Sequence, residues 1–457
     1  MKNMRASIFF SGGTLVLQGV NKQEHQPPPF RFVKGKWRCE AYHYGSLVPY
    51  LREQGIRDSV ARWKTLDLTL HEHREPHDYQ LEALAAWEQA ERCGSIILPT
   101  GAGKTFLAIQ AIQLVKRSTV IVAPTIDLLH QWYARLVNAF AVDVGVYYGG
   151  EKRVLPLTVT TYHSAGDLMA EYGNTFKLII FDEVHHLPAP TWGETALMTP
   201  APLRMGLTAT YPEEDEQGNG RWHIDELIGP VIYVKRIEDL VGKQLAQYRT
   251  QRLRIDLSSQ ERQDYDSDYA TYINFVRSRR LRRHGARWIM ELMRLSAIDA
   301  QARQAFLARQ RLLRLLARAE GKFKALDALL CEYTAEQILV FTEHNSTAYE
   351  IAYRHLVPVI THETSAAERK HILDGFQAGH YRVIVTSRVL NEGVDVPEAK
   401  VAIVLGGTSG AREYIQRLGR VLRKVENREA VLFEVIARKT LDEGKAQRRR
   451  RKREEPC

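Results

Sequence analysis

Lys104 and Thr105 close the stretch Leu98-Pro-Thr-Gly-Ala-Gly-Lys-Thr105, and about eighty residues later Asp182 and Glu183 begin Asp-Glu-Val-His-His186. A lysine and a hydroxyl after flexible glycines suit the β- and γ-phosphates of a nucleotide and its Mg²⁺. A carboxylate pair further on suits a second hold on the metal (Asp182) and the orientation of an attacking water (Glu183). The implied chemistry is phosphoryl transfer to water. The strict phosphate-loop pattern wants glycine where Leu98 stands, so a glycine-rich turn with an incidental lysine is the competing reading.

The neighbouring residues say which elements hold these groups. Ser95 to Leu98 is an apolar run suited to a buried parallel strand, and Phe106, Leu107, Ile109, Ala111, Ile112 and Leu114 suit a packed helix. Between them Pro99, Thr100, Gly101, Ala102 and Gly103 form a loop whose backbone N–H groups can turn towards phosphate at a helix N-terminus. Lys177 to Phe181 reads as another buried strand, with Asp182 and Glu183 at its carboxyl end. His185 and His186 are adjacent, which suits a hydrogen-bonded coupling role better than shared ligation of one ion.

A second series of strand and loop signals follows. Gln337 to Thr342, Tyr381 to Ser387 and Val401 to Leu405 are strand-like. Gly393 allows a tight backbone in the loop after Ser387, and Asp395 is available for the ribose or a catalytic water. In Gln416-Arg-Leu-Gly-Arg-Val-Leu-Arg423, Arg420 and Arg423 lie one helical turn apart and can face one developing phosphate charge; a solvated basic face is the alternative.

The chain has 457 residues, 44% of them hydrophobic, enough for more than one core, and a net charge of +10 that points to a polyanionic partner. Cys39, Cys93, Cys331 and Cys457 show no C-x-x-C spacing, so zinc and iron–sulfur sites are unsupported and a reducing, cytoplasmic setting is expected. No apolar run is long enough for a membrane helix. From 258 to 324 the chain favours helix, with Arg279, Arg280, Arg282 and Arg283 crowded near Tyr265, Tyr269, Tyr272, Phe275 and Trp288. Arginines there suit phosphate contact, the aromatics suit packing, and Leu307, Leu312, Leu313, Leu315 and Leu316 suit a helix interface. Ala6 to Gly19 reads as a hairpin around Ser11-Gly-Gly13, and residues 446–457 form a basic tail.

The order LPTGAGKT, APTIDLLHQW, TVTTYHSA, FDEVHHLP, GLTAT, VFTEHN, VTSRVLNEGVDVPE and QRLGRVLR, from about Asp78 to Arg423, resembles the motif series of superfamily 2 DExH helicases. Within them it most resembles the archaeal and bacterial XPB-like DNA helicases, through His362-Glu-Thr-Ser365 and Ser409-Gly-Ala-Arg-Glu-Tyr-Ile-Gln416. The resemblance implies an α/β fold of two RecA-like parallel-sheet domains with ATP in the cleft between them. The expected layout is a small α+β module at 1–65, similar to a DNA-damage-sensing domain, a first lobe at 66–235, and a second at 236–445 that carries the helical thumb. ATP and Mg²⁺ are implied, with Lys104, Thr105, Asp182, Glu183, Gln416, Arg420 and Arg423 at the nucleotide. Tyr79 and Gln80 match the adenine-reading motif, with His77 where an arginine is usual. Pro124, Thr125, Gln131, Thr161 and Thr386 are the implied strand contacts, and Thr208 and Thr210 the couplers of ATP state to movement. Glu213, Glu214 and Asp215 stand where the family has an Arg-Glu-Asp strand-separating loop, so the acidic pair, Glu214 and Asp215, remains. The expected activity is 3′ to 5′ opening of, or translocation on, DNA at single-strand/duplex junctions, in repair, by a monomer working with a separate nuclease.

Overall fold

The computed structural model describes residues 6–20, 29–72, 74–189, 191–212, 222–240, 248–283, 288–387, 399–405 and 430–444. The chain divides into two compact units, Met1–Arg236 and Ile237–Cys457.

The first unit opens with a five-stranded sheet formed by β1 (Ser7–Ser11), β2 (Thr14–Gln18), β3 (Arg31–Val33), β4 (Lys36–Glu40) and β5 (Arg57–Ser59), with helix α1 (Tyr44–Glu53) between the last two. Gly12 and Gly13, at φ +59° and +72°, make the β1–β2 turn, which a β-branched residue would strain. Ile8, Leu15, Leu17, Trp37, Leu47 and Leu51 form the module's core.

The module is fastened to the lobe that follows. Arg204 is buried, donates to the carbonyls of Ala196, Thr199, Ala201 and Leu227, and stacks its guanidinium 4.6 Å from the Tyr42 ring centroid. Burial lowers its pKa to about 10. Tyr42 in turn donates to the Glu226 carbonyl at 2.6 Å, and the Asn174 amide donates to the Val60 carbonyl at 2.7 Å.

That lobe runs α2 (Asp78–Gln89), β6 (Cys93–Ile97), α3 (Lys104–Val115), β7 (Thr119–Ala123), α4 (Ile126–Phe140), β8 (Gly145–Tyr148), β9 (Glu151–Arg153), β10 (Leu157–Thr161), α5 (Tyr162–Tyr172), β11 (Leu178–Asp182), α6 (Gly193–Leu197), β12 (Leu203–Thr208), α7 (Ile224–Leu227) and β13 (Val231–Val234). Its sheet order is β13-β6-β12-β11-β7-β10-β8-β9, parallel except for the β8–β9 hairpin. The strands β6, β12, β11 and β7 are neighbours, so the chain leaves one edge of the sheet as the phosphate loop, Thr208-Ala-Thr210, Asp182-Glu183 and Pro124-Thr125. That edge is where open parallel sheets bind ligands.

The second unit contains α8 (Ile237–Leu240), β14 (Tyr248–Ile255), α9 (Ser259–Ser278), α10 (Trp288–Ser296), α11 (Ala300–Ala317), α12 (Glu320–Glu332), β15 (Ile338–Thr342), α13 (Asn345–His355), β16 (Val359–Ile360), α14 (Ala366–Gln377), β17 (Val383–Thr386), β18 (Val401–Leu405) and β19 (Ala430–Ala437). Six parallel strands lie in the order β14-β19-β18-β15-β17-β16. Ser258 and Glu261 start α9 with reciprocal capping bonds. Tyr265, Tyr272, Phe275, Leu312 and Leu316 are buried between α9, α10 and α11, whereas Leu307, read as an interface residue, is 47% exposed. Leu307 falls on the solvent side of α11 because Ala305 and Ala308 take the close helix–helix positions. No described helix is long and apolar enough to cross a membrane.

Candidate nucleotide-hydrolysis site

The phosphate loop takes its shape from two left-handed glycines, Gly101 at φ +84° and Gly103 at φ +77°. Gly103 precedes the first residue of α3, and a Cβ there would lie 2.5 Å from Nε2 of Gln80. The loop is braced from α2: Tyr79 Oη donates to the Ala102 carbonyl at 2.8 Å, and Gln80 Nε2 donates to the same oxygen at 3.0 Å. Gln80 Oε1 accepts from the His77 backbone N–H at 3.0 Å. Both residues read as adenine contacts are therefore buried under the loop, with the Gln80 amide engaged at both ends. The His77 ring stacks on Tyr79, and Arg74 lies 3.5 Å from His77 Nε2 with its guanidinium 5.0 Å from the Phe106 centroid.

Charge meets at the end of β11. Lys104 Nζ is 3.3 Å from the Leu98 carbonyl and 3.7 Å from Glu183 Oε1. Glu183 Oε2 lies 3.5 Å from His185 Nδ1 and 3.4 Å from Thr208 Oγ1. His185 Nδ1 is also 2.9 Å from Thr208 Oγ1, which lies 2.8 Å from the Thr210 carbonyl. Glu183 itself has φ +48°, a strained setting for a residue with a Cβ, held because its carboxylate is fixed from three directions.

Asp182 is buried more deeply. Its Oδ2 accepts from Trp132 Nε1 at 2.8 Å, its Oδ1 from the Glu183 backbone N–H at 3.0 Å, and its carbonyl from Tyr162 Oη at 3.0 Å. Burial, with the Glu183 charge beside it, pushes its pKa up to about 6, against the lowering pull of Trp132 and Lys104. A divalent cation would reverse that penalty.

The residues fit a magnesium nucleotide. The Thr100 Oγ1 and Thr210 Oγ1 atoms, one in the phosphate loop and one just after β12, are buried without hydrogen-bond partners among the described residues. With such a group bound, Lys104 would supply the cation for β- and γ-oxygens, and Thr105 and Asp182 would be the hard oxygens for Mg²⁺. Trp132 and Tyr162 were missed in the sequence. A tryptophan at an apolar helical position reads as core, and nothing local marks its N–H as a carboxylate partner.

Comparison with known proteins agrees with this geometry. The family described as "Type III restriction enzyme, res subunit" matches residues 73–213, and "Helicase conserved C-terminal domain" matches 321–425. A protein of Sulfurisphaera tokodaii named "DNA 3'-5' translocase XPB2" is 41% identical over 411 residues, covering 90% of this chain and 92% of that one. This chain belongs to the XPB family.

A Mycobacterium tuberculosis relative named "DNA 3'-5' helicase XPB" is 29% identical, covering 82% of this chain and 63% of its own length. In the Arabidopsis thaliana protein named "General transcription and DNA repair factor IIH helicase/translocase subunit XPB2" the match is 26% and spans 50% of that protein. The solved Pyrococcus furiosus Hef helicase domain shares the fold, with a TM-score of 0.52 at 20% identity over 81% of this chain and 97% of that one. The XPB-family chain is thus an α/β protein of two RecA-like parallel-sheet domains.

Other expected sites in this XPB-family chain are placed unevenly. Thr125 caps α4, its Oγ1 accepting from the Leu128 N–H at 3.3 Å, and Pro124 and Gln131 are half-buried. Thr161 is buried, and so is Thr386, whose hydroxyl donates to the Ser387 carbonyl at 2.9 Å. In this conformation neither threonine presents its side chain at the surface. Arg279, Arg280, Arg282 and Arg283 are exposed at the end of α9 and the turn after it. Gly393, Asp395, Gln416, Arg420, Arg423, Glu214 and Asp215 lie outside the described residues, as does the basic tail.

Proposed function

We propose that the protein is an ATP-dependent DNA motor that moves 3′ to 5′ and opens duplex DNA in repair. The observation that carries the reading is the cluster in which Lys104, Glu183, His185 and Thr208 meet at the carboxyl edge of the first parallel sheet. The names of the Sulfurisphaera tokodaii and Mycobacterium tuberculosis relatives support the DNA substrate and the polarity.

In this reading Lys104 leaves Glu183 for the γ-phosphate when ATP binds, and Glu183 is freed to orient water. Thr105 and Asp182 would hold Mg²⁺, whose chemistry there would be to offset negative charge on the phosphate oxygens. His185 and Thr208 then register the change at Glu183 and pass it to the Thr208-Ala-Thr210 strand end. Arg420 and Arg423, outside the described residues, are the cations that the family resemblance implies for offsetting the transition state's negative charge, and the exposed Arg279, Arg280, Arg282 and Arg283 take DNA phosphates. A partner nuclease belongs to this reading and is sought by co-purification from the native host.

A second reading, a translocase that moves on duplex DNA without opening it, is favoured by the name of the relative that matches 92% of its own length. Forked, blunt and triplex DNA separate the two. Fork opening that starts from a 3′ tail supports the first reading, and triplex displacement without fork opening supports the second.

A further inference from the structure

The two carboxylate oxygens of Asp182 have different donors: Oδ1 accepts from the neighbouring Glu183 N–H, whereas Oδ2 accepts from Trp132, fifty positions earlier on α4. Both side chains are buried, Trp132 at 2% exposure and Asp182 at 6%. The bond exists because β7, the strand leading into α4, lies beside β11 in the sheet and pairs Ile121 with Ile180. Helix α4 packs over β7 and β10, and its face of Leu129, Trp132, Leu136 and Phe140 packs inward.

One flank of that buried face is exposed. Ile126 is 51% exposed and Tyr133 37%, and the exposed His130 ring nitrogen lies 3.3 Å from Tyr148 Oη. The N-terminus of α4, capped by Thr125, emerges at the same edge of the sheet as Asp182. A helix of 15 residues moves as a rod, so a load on its exposed turn or its capped end displaces the Trp132 indole as well. Packing alone would be served by phenylalanine at 132; the N–H aimed at a carboxylate oxygen would not.

We propose that Trp132 is a positioning residue that ties the setting of Asp182 to helix α4, so that nucleic acid engaged by that helix changes the divalent-cation requirement of ATP hydrolysis. The inference rests on the DNA-motor reading and adds to it a route by which DNA is sensed at the metal carboxylate. It differs from the His185–Thr208 connection, which runs through Glu183 towards β12.

The test is a Mg²⁺ titration of ATP turnover by the full chain, with and without forked DNA, for the wild type and Trp132→Phe. Wild type should show a Mg²⁺ half-saturation that falls about fivefold when DNA is added, within the usual range of coupling between sites. Trp132→Phe should erase that shift while its DNA affinity, read by fluorescence anisotropy, stays within about twofold of wild type, because the indole touches Asp182 and not the exposed turn. Should Trp132→Phe fail to fold, benzothienylalanine at position 132 keeps the bicyclic shape and removes only the N–H donor. A variant that keeps the DNA-dependent shift overturns the inference, as does a wild type that DNA stimulates without changing its Mg²⁺ half-saturation. Wild-type turnover indifferent to DNA would overturn the motor reading, and the inference with it.

Discussion

The carboxyl edges of the two parallel sheets are built from similar residues and are left in different chemical states. At the first, β11 ends in Asp182-Glu183, Lys104 stands 3.7 Å from Glu183, and the Thr100 and Thr210 hydroxyls are buried without partners among the described residues. At the second, the threonines that end the strands are consumed locally, Thr342 donating to the His344 carbonyl at 3.2 Å and Thr386 to the Ser387 carbonyl at 2.9 Å, while Thr347 in the first turn of α13 has a buried hydroxyl without a partner among the described residues. Buried polar groups are normally satisfied, so a cluster of charge and unsatisfied hydroxyl marks where a ligand completes the structure. Among the described residues, the first sheet is where such hydroxyls stand beside a largely buried lysine–carboxylate pair.

Mutations across the two edges should therefore separate widely. Lys104→Ala removes the ammonium group 3.7 Å from Glu183 and should lower DNA-stimulated turnover by about 10³-fold, measured by phosphate release. Gly103→Ala should lower it roughly tenfold to a hundredfold, since the residue sits at φ +77° with Gln80 Nε2 in the path of the new methyl group; a rate near wild type would mean the brace from α2 is slack. Thr386→Val should change turnover by less than about twofold while lowering unfolding stability by about 1 kcal/mol, the loss of one buried hydrogen bond. If Thr386→Val were as damaging as Lys104→Ala, the contrast between the edges would be false.

Much of the fold could be read from local pattern. The runs at Ser95 to Leu98 and Lys177 to Phe181 correspond to β6 and β11, and Ser11-Gly-Gly13 is the β1–β2 turn, because strand period and glycine conformations are properties of neighbouring residues. Contacts that depend on strand order were not readable. The Trp132–Asp182 bond requires β7 beside β11, and the double engagement of Gln80 requires α2 to lie under the phosphate loop. The burial of Thr386 follows from β17 lying between β15 and β16 in the sheet, an order that residue type does not decide.

The central claim is that Glu183 is the group that orients water at a site built by Lys104, Asp182 and Thr208. Glu183→Gln keeps the shape and removes the charge, so the decisive measurement is its rate of DNA-stimulated ATP hydrolysis beside its affinity for a fluorescent ATP analogue. Turnover about 10³-fold below wild type with nucleotide affinity within about threefold is the predicted result. Turnover within tenfold of wild type would contradict it.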